Sequence, residues 1–252
     1  MLKTLFLNPP SYNGYDGGAG SRYQCTREVK SFWYPTWLAQ LAALVEGSRL
    51  VDAPARGLTV DDILPMAKEY EFLVLYTSTP SFPNDVKIAE AFKNKNPKLI
   101  IGFCGAHVAV NPDHSILASD AIDFVAGNEF DFTIKEIAEG NSLENIDGLV
   151  YKKNGVPIHN KPRAIIEDMD SLPWVTKIYK DNLVTTDYYN GYMLHPYMSF
   201  YTGRGCKSHC SFCLWPQTIS GHKYRTRSVK NITAEITWAR DNFPEIKEFF
   251  FD

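Results

Sequence analysis

The chain has 252 residues, 44% of them hydrophobic, with a formal net charge of −3 and a pI near 6.1. That allows one large domain or two smaller ones with real cores, and it excludes a general polyanion-binding surface, so nucleic acid is not an expected partner. No apolar run reaches the roughly 20 residues that span a bilayer, and MLKTLFLNPP is too short and strand-like for a signal segment, so a cytoplasmic chain with reduced thiols is expected.

From Leu2 to Glu139 short apolar runs alternate with stretches of helical period, the pattern of an α/β, doubly wound parallel sheet of Rossmann-like type over residues 1–145. Buried parallel strands read as continuous apolar runs, which predicts strands at 4–7, 49–52, 72–76, 99–103 and 122–126. Pro35 suits a first helical turn, and Trp37, Leu38, Leu41, Leu44 and Val45 then share one face before Gly47. Thr59 and Asp62 form a capping-box pattern ahead of Ile63, Met66 and Tyr70. Further helices are expected at 82–96 and 130–140, and a shorter one after Pro112.

The long stretch between the first strand and first helix, SYNGYDGGAGSRYQCTREVKSFWY, is rich in glycine and aromatics, which favours a functional loop over disorder. After Gly140 the pattern changes. Residues 149–158 read as a small hairpin about Asn154-Gly155, and the rest of 146–195, broken by Pro162 and Pro173 and closed by Pro196, reads as a wrapping linker. A last unit over 196–252 has a strand at 197–201, a cysteine loop, a helix at 229–242 and a strand at 247–251, one βαβ repeat.

Five cysteines, an odd number, with Cys25 and Cys104 standing alone, argue against a disulfide framework. Cys25 is most simply a loop thiol and Cys104 a small core residue. Cys206, Cys210 and Cys213 stand at C-x3-C-x2-C in TGRGCKSHCSFC. Three thiolates without a fourth suit a [4Fe–4S] cluster, which normally takes four cysteines and here would keep one iron open. The amino and carboxylate groups of S-adenosylmethionine can fill that position, and an electron from the cluster can break its C–S bond to release a 5′-deoxyadenosyl radical. A structural zinc completed by His209 or His222 is the competing reading, although His209 sits between two ligands.

The spacing, with Phe212 just before the last cysteine, resembles the signature of the radical S-adenosylmethionine superfamily. The resemblance implies that 196–252 begin a radical (β/α) barrel, that Phe212 lies beside the adenine, and that Asp252 belongs to the residues near the amino group. A full barrel needs about 200 residues by analogy with eight-stranded barrels. The chain therefore reads as a fragment, its last strand an open apolar edge, expected to be inactive by itself.

In doubly wound folds ligands bind at the carboxyl ends of the strands. The loops there contain Thr77, Ser78, Thr79, then Gly105 and His107, then Gly127 and Glu129. Their small and hydroxylated residues suit close approach of a large planar cofactor, and equally suit ordinary turns. His107 is read as lining, not as a metal ligand. A sheet domain followed by GLVYKKNG, IIEDMDSLP and a radical S-adenosylmethionine motif resembles the cobalamin-binding class of these enzymes. The resemblance implies that the three loops pack against cobalamin. Cys104-Gly105-Ala106-His107 departs from the Gly-Gly pair of many members, and Gly127-Asn128-Glu129 from their Gly-Glu-Gly-Glu. No Asp-x-His-x-x-Gly occurs, so no mutase-type histidine ligand to cobalt is expected.

The run GYDGGAGSRYQCTREVKSFWYPTWLAQLAALVEGSRLVDAP is similar to the hopanoid biosynthesis-associated radical S-adenosylmethionine proteins of the J type. That implies radical ring contraction of a hopanoid-linked glucosamine to a cyclitol ether. It also implies as partners a hopanoid-type lipid or its sugar head group, a reductant such as flavodoxin or ferredoxin, and peripheral membrane contact. Arg22, Arg27 and Lys30 are candidates to meet polar groups of the substrate. The rival outcomes are methyl transfer from methylcobalamin and, from another class, a non-catalytic corrinoid-binding module with a zinc-bearing tail.

Overall fold

The computed structural model describes residues 1–12, 15–18, 22–25 and 32–251, and the side chains of all of these except 15–18 and 22–25. Asp252, Arg27 and Lys30, and the side chains of Arg22 and Cys25, lie outside the described residues.

The fold is α/β. Strand β1 (Thr4–Asn8) is followed by a hairpin of β2 (Tyr15–Gly18) and β3 (Arg22–Cys25), then helix α1 (Thr36–Leu44) and β4 (Arg49–Asp52). Two short helices, α2 (Ala53–Arg56) and α3 (Val60–Ile63), lead to β5 (Phe72–Tyr76), α4 (Phe82–Lys95) and β6 (Ile100–Cys104). Next come α5 (Ala106–Val110), α6 (Pro112–Leu117), β7 (Phe124–Ala126) and α7 (Asp131–Ala138). Strands β4, β1, β5, β6 and β7 lie side by side in parallel, so the winding reverses between β1 and β5. Every residue of β1, β5 and β7 is buried, because helices cover both faces of the sheet.

The hairpin β8 (Leu149–Lys153) and β9 (Val156–His159) belongs to this sheet. β8 pairs antiparallel with β7, matching Tyr151 to Phe124, and brings the sheet to seven strands. Asn154 and Gly155 turn it at φ 54° and 77°. The expected division after residue 145 therefore does not separate the hairpin from the sheet.

Residues 161–195 hold helix α8 (Val175–Asn182), which packs on the outer side of α1. Tyr179 donates to the Thr36 hydroxyl at 3.1 Å and Gln40 donates to the Pro173 carbonyl at 2.9 Å. α1 is consequently buried from Thr36 through Ala42, not on one face as its pattern suggests. A helix of two turns between Pro173 and Pro196 is too short for a sustained period, which is why the segment looks like a linker.

Beyond it, β10 (Tyr197–Phe200) and β13 (Glu248–Phe251) pair in parallel around α9 (Val229–Asn242), the expected βαβ repeat. Ser228 caps α9 by accepting from the Asn231 amide at 3.1 Å. A further pair, β11 (Gly203–Arg204) with β12 (Arg225–Thr226), closes the base of the cysteine loop. Among the described residues no helix is long and apolar enough to cross a membrane.

Candidate cofactor site

The cysteine loop runs from Gly205 to Tyr224 between β11 and β12. Gly205 has φ +88°, and a Cβ there would collide with the Lys223 carbonyl oxygen, so the chain can make this turn only without a side chain. A Cβ at Gly203 would stand 2.5 Å from the Arg225 carbonyl. The Cys206 amide donates to Gly221 at 3.2 Å and the Cys213 amide to Cys210 at 3.1 Å. All three thiols are unbridged; Cys206 and Cys210 are exposed and Cys213 is half-buried. Among the described residues no group of three His, Cys, Asp or Glu side chains converges at metal-binding distance. The loop thus presents three accessible sulfurs, the donor set that a cluster with one open iron takes, without gathering them. His209 and His222 stack on each other at 4.1 Å. Phe212 is 90% exposed, free to cover a ligand laid against the loop.

Beside the loop is a cavity of about 680 Å³, within the range of roughly 300–1,000 Å³ usual for small-molecule sites. Its walls join Gly203, Gly205 and Trp215 of the loop region to Trp33, which precedes α1, to Trp37 in its first turn and to Tyr201. Trp37 and Trp215 stack at 6.2 Å with planes 18° apart, and Trp37 meets Tyr201 at 4.9 Å.

Two arginines bind the loop's base to the turn between β7 and α7. Arg204 donates from Nη1 and Nη2 to Asp131 at 2.7 and 2.9 Å, and its guanidinium lies 4.9 Å over the Trp37 ring. Burial opposes its charge, but Asp131 holds its pKa above the usual arginine range. Arg225 donates to Glu129 at 2.9 and 2.6 Å, and also to the carbonyls of Ile166 and Ser220. Glu129, expected to line a cofactor, is instead turned to Arg225 with both oxygens, one of which also accepts the Ile166 amide at 2.6 Å. Sequence reasoning missed both arginines. The signal for Arg225 is faint: it alternates with Arg227 at the strand period, three residues after His222.

The other loop residues stand at the carboxyl ends of β5, β6 and β7. Thr77 is buried and donates to Asp85 at 2.7 Å, while the Ser78 and Ser81 hydroxyls lie 3.1 Å apart. Burial pushes the Asp85 carboxyl up to about 6 against the hydrogen bonds from Thr77, Ser81 and Asn84. Gly105 has φ +112°, and a Cβ there would meet the Thr77 carbonyl at 2.6 Å, so these two loops touch backbone to backbone. Across them His107 Nδ1 lies 3.1 Å from the Thr79 hydroxyl, with its ring 4.3 Å from Phe82. His107 Nε2 is buried without a hydrogen-bond partner. Burial, then His114, lowers its pKa, so the imidazole is neutral near pH 7. A neutral ring with one orphaned nitrogen among small residues fits a ligand rich in amide and hydroxyl groups. Cys104 is fully buried with its pKa pushed up by burial, a core residue as expected.

No protein-family model matches the chain. A protein of Pyrococcus horikoshii named as an uncharacterized methyltransferase is 30% identical over 246 residues, 94% of this chain and 50% of its own. The anaerobic magnesium-protoporphyrin IX monomethyl ester cyclase of a Synechocystis species is 25% identical over 168 residues, 64% of this chain and 32% of its own. Two structures of the radical S-adenosylmethionine methyltransferase TsrM from Kitasatospora setae each superpose on 99% of this chain and 47% of theirs with a TM-score of 0.65. One holds tryptophan and an S-adenosylmethionine analogue. The other holds cobalamin and a [4Fe–4S] cluster. At 13% and 14% identity that likeness is one of fold. The chain spans about half the length of the first relative and about a third of the second.

Proposed function

We propose that this chain is the cofactor-bearing part of a cobalamin-dependent radical S-adenosylmethionine enzyme that transfers a methyl group. The observation that carries the reading is the cysteine loop beside its cavity: three unbridged thiols whose flanking residues Gly203, Gly205 and Trp215 line a space of about 680 Å³. A [4Fe–4S] cluster held by Cys206, Cys210 and Cys213 would supply a single low-potential electron to S-adenosylmethionine at its open iron. Phe212 would cover the adenine, and the aromatic walls from Trp33, Trp37 and Trp215 would exclude water from the reacting groups. Along the sheet edge, Thr77, Ser78, Thr79, Gly105, His107 and Gly127 would seat a corrinoid, which supplies the methyl group. The names of the methyltransferases of Pyrococcus and Kitasatospora support methyl transfer as the outcome.

Ring contraction of a hopanoid-linked glucosamine rests on the N-terminal run alone, of which residues 14, 19–21 and 26–31 lie outside the described residues. The unbridged thiols fit a cytoplasmic site, and a [4Fe–4S] cluster there would need a one-electron donor such as flavodoxin or ferredoxin. The test is to purify the full-length protein without oxygen and measure iron, sulfide and bound corrinoid, then follow S-adenosylmethionine cleavage in the parent and in Cys206→Ala. Cleavage in the parent and none in the variant is expected. Zinc without sulfide, or cleavage that survives in Cys206→Ala, overturns the reading. Product mass then separates methyl transfer, which adds a carbon, from ring contraction, which does not.

A further inference from the structure

We propose that Arg204 and Arg225 are positioning residues, which close the base of the cysteine loop and fix its place against the cofactor edge of the sheet through two carboxylates, Glu129 of the turn after β7 and Asp131 at the start of α7. The inference rests on the functional reading above and deepens it.

Arg204 and Arg225 face one another directly in the register of β11 with β12. Like charges directly opposite repel, and a ladder of two residues is too short to hold itself closed. Each cation is matched from outside the loop, Arg204 by Asp131 and Arg225 by Glu129, and the four residues are 4%, 5%, 1% and 2% exposed in the order Arg204, Arg225, Asp131, Glu129. Take away either carboxylate and a buried arginine is left uncompensated, so the loop's base cannot close unless it is docked on the turn.

Holding two units together does not require charge, since well-packed apolar pairs do it as well as buried ion pairs. What a pair of guanidinium forks adds is orientation, because each fixes the plane and direction of its partner. The turn that carries Glu129 and Asp131 begins at Gly127, where an added Cβ would lie 3.1 Å from Ala109 Cα of α5. It therefore touches the helix bearing His107 on one side and the cysteine loop on the other. This turn is one piece of backbone through which the two proposed cofactor sites are related to each other.

The test compares full-length parent with Arg225→Lys, which keeps the charge and loses the fork, and with the double variant Glu129→Leu/Arg225→Met, which keeps the packing and loses the pair. In cofactor-free protein, hydrogen exchange of amides 203–226 is expected to quicken at least about 10-fold in Arg225→Lys, and less in the double variant, while β5 and β6 stay protected. In the loaded protein, pulsed electron paramagnetic resonance between the reduced cluster and cob(II)alamin should give one narrow distance in the parent and a broad or shifted distribution in the variants, at unchanged iron, sulfide and corrinoid content. Unchanged exchange and distance in the double variant overturn the proposal. So does a loss of protection spread evenly over the sheet, which marks a purely structural role. A parent that binds no corrinoid defeats the functional reading, while the exchange result still decides the clamp.

Discussion

Tyr188 donates its phenolic proton to Asp52 across 2.9 Å, with the two side chains 1% and 0% exposed. Asn8 donates to the other carboxylate oxygen at 2.7 Å, and Tyr34 stacks on Tyr188 at 4.1 Å. The pair thus fastens the segment after α8 to the carboxyl ends of β1 and β4, beside the point where the winding reverses.

Burial pushes the Asp52 carboxyl up to about 7, and the hydrogen bonds from Asn8 and Tyr188 only partly offset it. A carboxyl raised in the folded state contributes stability that is complete below its unfolded pKa, near 4, and is lost as pH rises through about 7. Asp85, pushed up to about 6, acts in the same direction. Relative to Asp52→Asn, the parent should lose thermal stability steadily from about pH 4 to pH 7 and then level off. Melting midpoints of both proteins across that range check this; a constant difference between them would contradict it.

Tyr188→Phe keeps the ring stack on Tyr34 and removes one of the donors that favour the carboxylate. The buried acceptor left behind should cost about 1–3 kcal/mol at pH 8 and less at pH 5, where Asp52 is protonated. The Asp52 titration, followed by carboxyl carbon resonance, should move to higher pH. Denaturant unfolding at the two pH values gives the cost, and equal costs would show that Asp52 does not titrate in the folded protein.

Much of the frame is legible in the sequence because it is written locally. The apolar run at 72–76 is a strand with those bounds, and Thr59 with Asp62 makes the capping box, the Thr59 amide donating to Asp62 at 2.8 Å. That helix stops at Ile63 and tightens into a 3₁₀ turn around Pro65, so Met66 is only half-buried. What the sequence hides is pairing at a distance. Glu129 looks like one more loop residue until Arg225 arrives 96 residues later, and Arg204 finds Asp131 across 73. α1 looks amphipathic for the same reason, since nothing in its own pattern announces that α8 will cover the outer face.

Gly205→Ala should damage the cysteine loop and spare the sheet. The residue sits at φ +88°, strained for any side chain, and a Cβ would strike the backbone oxygen of Lys223, which cannot swing aside as a side-chain tip would. The expected result is loss of most iron and sulfide after anaerobic reconstitution with little change in the far-ultraviolet dichroism of the fold. Full cluster content in the alanine variant would show that the loop opens without consequence for the thiols.

Trp37 supports the cavity from below. Its ring stacks on Trp215 at 6.2 Å and on Tyr76 at 6.5 Å, meets Tyr201 at 4.9 Å and carries the Arg204 guanidinium at 4.9 Å, so one side chain joins the sheet, the cysteine loop and the clamp. Trp37→Ala should cost about 3–5 kcal/mol, the usual range for emptying a large aromatic site, because the rings of Tyr76, Tyr201 and Trp215 packed around it lose a shared neighbour. Trp215, losing its neighbour, should then emit at longer wavelength as water enters. Trp37→Phe keeps a ring under Arg204 and should recover more than half of the loss. Urea unfolding with fluorescence detection measures both; an alanine variant as stable as the phenylalanine one would show that the stack fills space without bearing on the fold around the site.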